Sequence, residues 1–260
     1  IMRKYLYDRG ETQRDVIIVP DSAHGTNPAT TSMSGLKVVE VRSDARGNVD
    51  LVMLRELIAQ HGPRLVGMML TNPNTLGLYD EHVEEVLRLV HEAGGLVYGD
   101  GANFNAILGI AKPGAVGFDV MHYNLHKTFS TPHGGGGPGS GAVGVAAHLA
   151  DYLPGPIVVR DAEDTYRWHM PPSSIGRVKA FWGNFGILVR AYTYIRMHGA
   201  EGLRQISENA VLNANYLQAR LRGTYPIPHG DRTCMHEFVA QGILKEAPNI
   251  RTMDIAKRLM

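Results

Sequence analysis

One lysine carries the most suggestive chemistry in the sequence. Lys127 sits in the run Asn124-Leu125-His126-Lys127-Thr128-Phe129-Ser130, just past an apolar stretch and ahead of a glycine-rich segment. Burial and cationic neighbours can free such an amine as a nucleophile for a carbonyl group, the chemistry of a Schiff-base lysine. The competing reading is a solvated loop lysine. Asp100 shifts the balance, because it ends the apolar run 96–100. A carboxylate in that position is the partner a protonated pyridine nitrogen requires in a pyridoxal 5′-phosphate site. Its ordinary alternative is a turn or helix cap. The small residues Gly101 and Ala102 beside it leave room for a flat ring.

Three further clusters carry polar groups of the right kind. His24, in Asp21-Ser22-Ala23-His24-Gly25-Thr26-Asn27-Pro28, offers an imidazole that can stack on a ring face or bond to its own loop. Thr71, Asn72 and Asn74 offer donors to a phenolic oxygen, although Asn-Pro is also a common turn dipeptide. Two other leads fail. The glycines 134–137 are followed by no Gly-Lys-Ser/Thr, and they do not join a strand to a helix, which excludes both nucleotide fingerprints. His122, His126 and His133 lack helical zinc spacing and nearby carboxylate or thiol partners, so no metal site is expected.

The elements that must position these groups alternate between strand and helix. Residues 16–19, 37–41, 65–70, 96–100, 119–123 and 142–146 are short apolar or β-branched runs. Between them, Asn27-Pro28 opens a helix, Asp50 caps another through Gln60, and residues 79–93 place Val83, Val86, Leu87 and Val90 on one face. Residues 124–139 read as a long glycine-rich loop. Repeated strand–helix–strand units predict an α/β fold with a mostly parallel sheet. The four polar clusters then share the carboxyl edge of that sheet, where ligands bind. After Asp151 the pattern changes to a Pro-rich extended segment at 152–160, helices at 186–197 and 200–222, and a strand at 234–239. This places a boundary near residue 150, with a large domain over 1–150 and an incomplete smaller α+β domain over 151–260.

Composition sets the outer limits. The chain has 260 residues, 44% of them hydrophobic and 20% charged, which is enough for a core and unlike a disordered chain. Its net charge of +1 gives no reason to expect nucleic acid or an anionic membrane as partner. A single cysteine, Cys234, rules out an intrachain disulfide. No apolar run approaches the roughly 20 residues that span a bilayer. Residues 1–9 read as a helix already under way and 253–260 as an unfinished one, so a piece of a longer protein is expected.

The strings DSAHGTNPAT, TNPNTLG, GDGANFNA and NLHKTFSTPHGGGGPG together resemble the P-protein of the glycine cleavage system, most closely its subunit 2 or C-terminal half. That resemblance implies a fold-type I pyridoxal-phosphate enzyme with a seven-stranded type of sheet. It implies decarboxylation of glycine and passage of the aminomethyl group to the lipoyl arm of H-protein. Carried over by position, Lys127 would hold the cofactor, Asp100 would pair with its ring nitrogen, and His24 would stack on the ring beside Ala102. Thr71 or Asn72 would lie near the phenolic oxygen, Asn103, His126 and His133 would line the site, and His24 or His126 would move protons. Part of the phosphate site would come from a segment preceding Ile1. The implied partners are glycine, lipoylated H-protein and a companion subunit 1 or N-terminal half, in an oligomer. The implied location is bacterial cytoplasm, or mitochondrial matrix in a eukaryote. Two alternatives compete: another fold-type I enzyme, such as an aminotransferase or cysteine desulfurase, and a non-catalytic partner subunit. Cys234, in an apparent strand, weakens the desulfurase reading, and the Lys127–Asp100 pair weakens the non-catalytic one.

Overall fold

A computed structural model describes residues 1–135, 137–244 and 246–260; Gly136, within the glycine run, lies outside the described residues. Helix α1 (Met2–Asp8) precedes strand β1 (Val16–Pro20), followed by α2 (Thr26–Met33), β2 (Lys37–Val41), α3 (Leu51–His61), β3 (Leu65–Thr71), α4 (Val83–Glu92) and β4 (Leu96–Gly101). Short helix α5 (Pro113–Val116), β5 (Val120–Asn124), α6 (Leu125–Thr128) and β6 (Gly141–Val145) complete the sheet region. Among the described residues the sheet has six strands in the order β2-β1-β3-β4-β5-β6. The first four pairings along that order are parallel, and only β5 with β6 is antiparallel.

The uninterrupted apolar runs follow from burial on both faces. Val16 and Ile18 of β1 join a core with Leu54 of α3 and Val86, Leu87 and Val90 of α4. Ile17 and Val19, pointing the other way, pack with Leu6 of α1 and with Val66 and Met69 of β3. Asp50 caps α3 by accepting from the Val52 and Met53 amides at 2.9 and 3.1 Å. Gly101 is small for a reason other than ring space: a Cβ there would lie 2.0 Å from the His122 carbonyl of β5.

Beyond the sheet, β7 (Ile157–Arg160) and β8 (Tyr166–His169) form an antiparallel hairpin. Helix α7 (Phe185–Leu221) breaks at Gly199, whose φ of 62° and ψ of −174° lie outside the helical range, close to the expected gap between two helices. Helix α8 spans Thr252–Leu259. Two expectations need correction. Residues 234–239 form no strand. Asn215 brackets the Cys234 amide and carbonyl with its side chain at 3.1 and 2.6 Å, and the Met235 amide donates to the Gly77 carbonyl at 2.7 Å. Those bonds use the backbone groups that a sheet ladder would need. The segment after β5 is also not all loop, because its first turn is helix α6, which carries Lys127.

Candidate active site

The parallel sheet brings the polar clusters to one edge, as the alternation predicts. Register places Thr71 of β3 beside Asp100 of β4, and Asp100 beside His122 of β5. Paired residues in register share a face of the sheet, so these three side chains lie in a row at the strand ends. Asp100 is only 4% exposed. Its Oδ1 accepts from the Ala102 amide at 2.9 Å and lies 3.4 Å from His122 Nε2. Its Oδ2 accepts from Thr71 Oγ1 at 3.2 Å and from Asn27 Nδ2 at 3.3 Å. These contacts fix the orientation of the carboxylate at the strand end.

A cavity of about 690 Å³ opens at this edge, lined by His24, Asp100, Ala102, His126, Lys127 and His133, among others. Lys127 reaches it from α6, whose start is fixed by the Leu125 amide donating to the Ser140 carbonyl at 3.0 Å. His24 lines the cavity with Nδ1 held by Thr26, accepting from its amide at 3.1 Å and lying 2.8 Å from its Oγ1. His126 Nδ1 lies 3.2 Å from the Ser140 carbonyl. A carbonyl only accepts, so Nδ1 carries the proton and Nε2 of the neutral ring is an acceptor. Burial, then the nearby His133, pushes the His126 imidazole below its ordinary value and favours this neutral form.

Other expected site residues take different work. Thr71 and Asn72 are buried and do not line the cavity. The Thr71 hydroxyl is committed to Asp100, and Asn72 Oδ1 accepts from the Asp80 amide at 3.0 Å. Asn74 closes its own turn, accepting from the Leu76 and Leu78 amides at 3.0 and 3.1 Å. Asn103 donates to the Pro73 and Asn74 carbonyls at 3.0 and 3.2 Å, and so secures that loop rather than facing the cavity. Among the described residues, the buried Asn72 Nδ2, Thr128 Oγ1 and Thr131 Oγ1 have no hydrogen-bond partner.

Sequence reading gave no site role to Asn27, Tyr98 or His236, and weighed His122 only as a metal ligand. Tyr98 and His122 were within reach of a period-two argument, since Tyr98 lies two residues before Asp100 on β4 and His122 is Asp100's register partner on β5. Nothing local announces His236. It arrives with a segment docked by Arg232, which donates to the carbonyls of Arg46 at 2.5 Å and Tyr79 at 3.0 Å and to Asn48 Oδ1 at 3.1 Å. Burial pushes the His236 ring below its ordinary value, and the charge of Lys127 acts in the same direction. Cys234 is fully buried, and burial pushes its thiol up, the opposite of what an activated sulfur nucleophile needs.

The residues present suit pyridoxal 5′-phosphate: an amine and a carboxylate line one cavity with the imidazoles of His24 and His126 and the small Ala102. Among the described residues no cluster of three or more His, Cys, Asp or Glu groups could hold a metal ion. Also among them, no helix is long and apolar enough to cross a membrane.

Comparison with known proteins gives concordant likenesses. Residues 206–260 match the family described as glycine dehydrogenase, C-terminal domain. The whole chain is 56% identical to a probable glycine dehydrogenase (decarboxylating) subunit 2 of Desulforamulus reducens, covering 53% of that protein. It is 54% identical to the protein of the same description from Pyrococcus horikoshii, covering 52% of it. The chain therefore spans about half the length of the curated relatives it matches. Among solved structures, a glycine decarboxylase (P-protein) of the glycine cleavage system in inhibitor-bound form aligns with a TM-score of 0.68 at 21% identity, over 86% of this chain and 51% of that one. Lactobacillus brevis glutamate decarboxylase aligns with a TM-score of 0.63 at 15% identity, over 88% and 52%. The fold is that of the fold-type I enzymes.

Proposed function

Since the chain belongs with the glycine dehydrogenase (decarboxylating) subunit 2 proteins over the half of their length that it spans, we propose that it is the lysine-bearing part of a glycine-decarboxylating enzyme dependent on pyridoxal 5′-phosphate. One observation carries the reading: Lys127 and Asp100 line the same cavity, with Asp100 ringed by donors. The cofactor, when bound, supplies an electron-poor ring that takes up the electron pair left as glycine loses carbon dioxide.

The chain's own residues do the rest. Lys127 would be the residue that holds the cofactor covalently, its amine lining the cavity where the ring would sit. Asp100, oriented by its four neighbours, would pair with the cofactor's ring nitrogen and favour a proton there. His24 would lie along a face of the ring, and the small Ala102 would leave the space a flat ring needs. His126 offers Nε2 as a proton acceptor, since its Nδ1 is committed to Ser140. Ile17, Val66 and Met69 give the cavity an apolar wall that limits water at the departing carboxylate. Residues 1–150 then form the larger, cofactor-binding domain, and residues 151–260 the start of the smaller one. The aminomethyl group passes to the lipoyl arm of H-protein. A companion subunit completes an oligomer, in the cytoplasm of a bacterium or the mitochondrial matrix of a eukaryote.

A different fold-type I activity is the alternative, and a desulfurase is disfavoured by the buried Cys234 thiol. The test is exchange of labelled bicarbonate into the carboxyl group of glycine by the full-length protein with companion subunit and H-protein. Exchange that disappears in Lys127→Ala supports the reading. A loaded, folded enzyme without exchange favours the alternative.

A further inference from the structure

Behind Asp100, on the same face of the sheet, two side chains have no place in the reaction described so far. Tyr98 OH lies 2.5 Å from His122 Nδ1, and the two rings are nearly parallel, at 15°. His122 Nε2 lies 3.4 Å from Asp100 Oδ1 and 3.1 Å from Asn124 Oδ1. The direction of the chain follows from the groups in it. Burial and the charge of Asp100 push the Tyr98 phenol up, so it keeps its proton. A protonated phenol beside Nδ1 donates to it, which leaves the imidazole proton on Nε2. Nε2 faces only oxygens that accept. That N–H hydrogen-bonds to Asn124 Oδ1 and lies 3.4 Å from Asp100 Oδ1, so its positive end sits beside the carboxylate.

We propose that Tyr98 and His122 are positioning residues for Asp100: the phenol fixes the imidazole, and the imidazole N–H beside Oδ1 holds that carboxylate aimed at the cofactor's ring nitrogen. This rests on the reading that Asp100 pairs with that nitrogen. The ring proton is shared between a nitrogen and a carboxylate, and its location depends on how basic the carboxylate is. The Ala102 amide, Thr71, Asn27 and His122 are the groups that face Asp100. Removing a donor makes the carboxylate more basic and draws the proton off the ring. A ring without its proton is a weaker electron acceptor.

The experiment uses the full-length protein with its companion subunit, loaded with pyridoxal phosphate labelled with nitrogen-15 in the ring. The nitrogen shift is read in wild type, Tyr98→Phe, His122→Phe, His122→Gln and Asp100→Asn. Wild type should give the protonated value and Asp100→Asn the unprotonated one. His122→Phe should move the proton's partition toward the unprotonated value by about tenfold, equivalent to about one pKa unit. Tyr98→Phe should move it part of the way, and His122→Gln, which retains an N–H, should recover most of the loss. If His122→Phe does not fold, the nearly isosteric Tyr98→Phe decides. A wild-type shift in both Phe variants overturns the proposal. A wild-type shift in Asp100→Asn instead overturns the pairing of Asp100 with the ring nitrogen. In the cofactor-free protein, His122 should show the Nε2–H tautomer, and the Nδ1–H form would overturn the direction of the chain.

Discussion

Replacing Arg232 by Met should release the segment that carries Cys234 and His236. Arg232 is 8% exposed, and its guanidinium binds three acceptors far away in the chain, the Arg46 and Tyr79 carbonyls and Asn48 Oδ1, with Glu81 at 3.6 Å. Met retains the apolar stem and removes the charge and the donors. Hydrogen bonds to a charged group each contribute roughly 1.5–3 kcal/mol. The guanidinium also regains the hydration it lost on burial, so the three are not additive. A net loss of about 3 kcal/mol for the docked segment is expected, or about a hundredfold in its opening equilibrium. The Met235 amide, which donates to the Gly77 carbonyl at 2.7 Å, reports that opening by hydrogen exchange. Its protection should fall by about two orders of magnitude in Arg232→Met and by roughly one in Arg232→Lys, since a single ammonium cannot span three acceptors. Amides of β1, in the sheet core, should change little. Unchanged protection at Met235 in the Met variant would refute the idea that Arg232 fastens this segment.

Asp50→Ala should destabilise by about 1 kcal/mol, seen as a lower denaturant midpoint with an unchanged slope, because the Val52 and Met53 amides lose their cap. Gly101→Ala should cost roughly 1–3 kcal/mol or more, since a Cβ would strike the His122 carbonyl, and amide exchange at the β4–β5 pairing should rise. His126 gives a pH dependence of known sign. Burial and His133 hold its folded pKa below the ordinary value, so as pH falls the unfolded chain takes up the proton first. Stability should be fully present above about pH 6.5 and decline below it until the folded ring titrates. Denaturant titrations at several pH values should show a smaller decline in His126→Asn; an equal decline would contradict the assignment.

Much of this arrangement was legible because it is local or periodic. Apolar β-branched runs, Asp50 at a helix start and Pro28 just inside another were enough to predict the parallel sheet. Parallel strands send their carboxyl ends to one edge, which is why His24, Asp100, Ala102, His126 and Lys127 meet. Strand direction at β6 was not legible, because a short alternating run pairs equally well either way. The 234–239 segment alternates like a strand, yet Asn215 and the Gly77 carbonyl satisfy its backbone. Arg232 and His236 reach the sheet through contacts between distant parts of the chain, which no local pattern encodes. Thr71, Asn74 and Asn103 had the right chemistry and bond to nearer partners, whereas Asn72 bonds the Asp80 amide through Oδ1 and keeps Nδ2 unpaired among the described residues.

The central claim is that Lys127 is the amine that holds the cofactor. Full-length protein loaded with pyridoxal phosphate, reduced with borohydride and mapped by peptide mass spectrometry, tests it most directly. The account predicts one stable cofactor adduct, on Lys127, absent from Lys127→Ala. A stoichiometric adduct on any other lysine would contradict it.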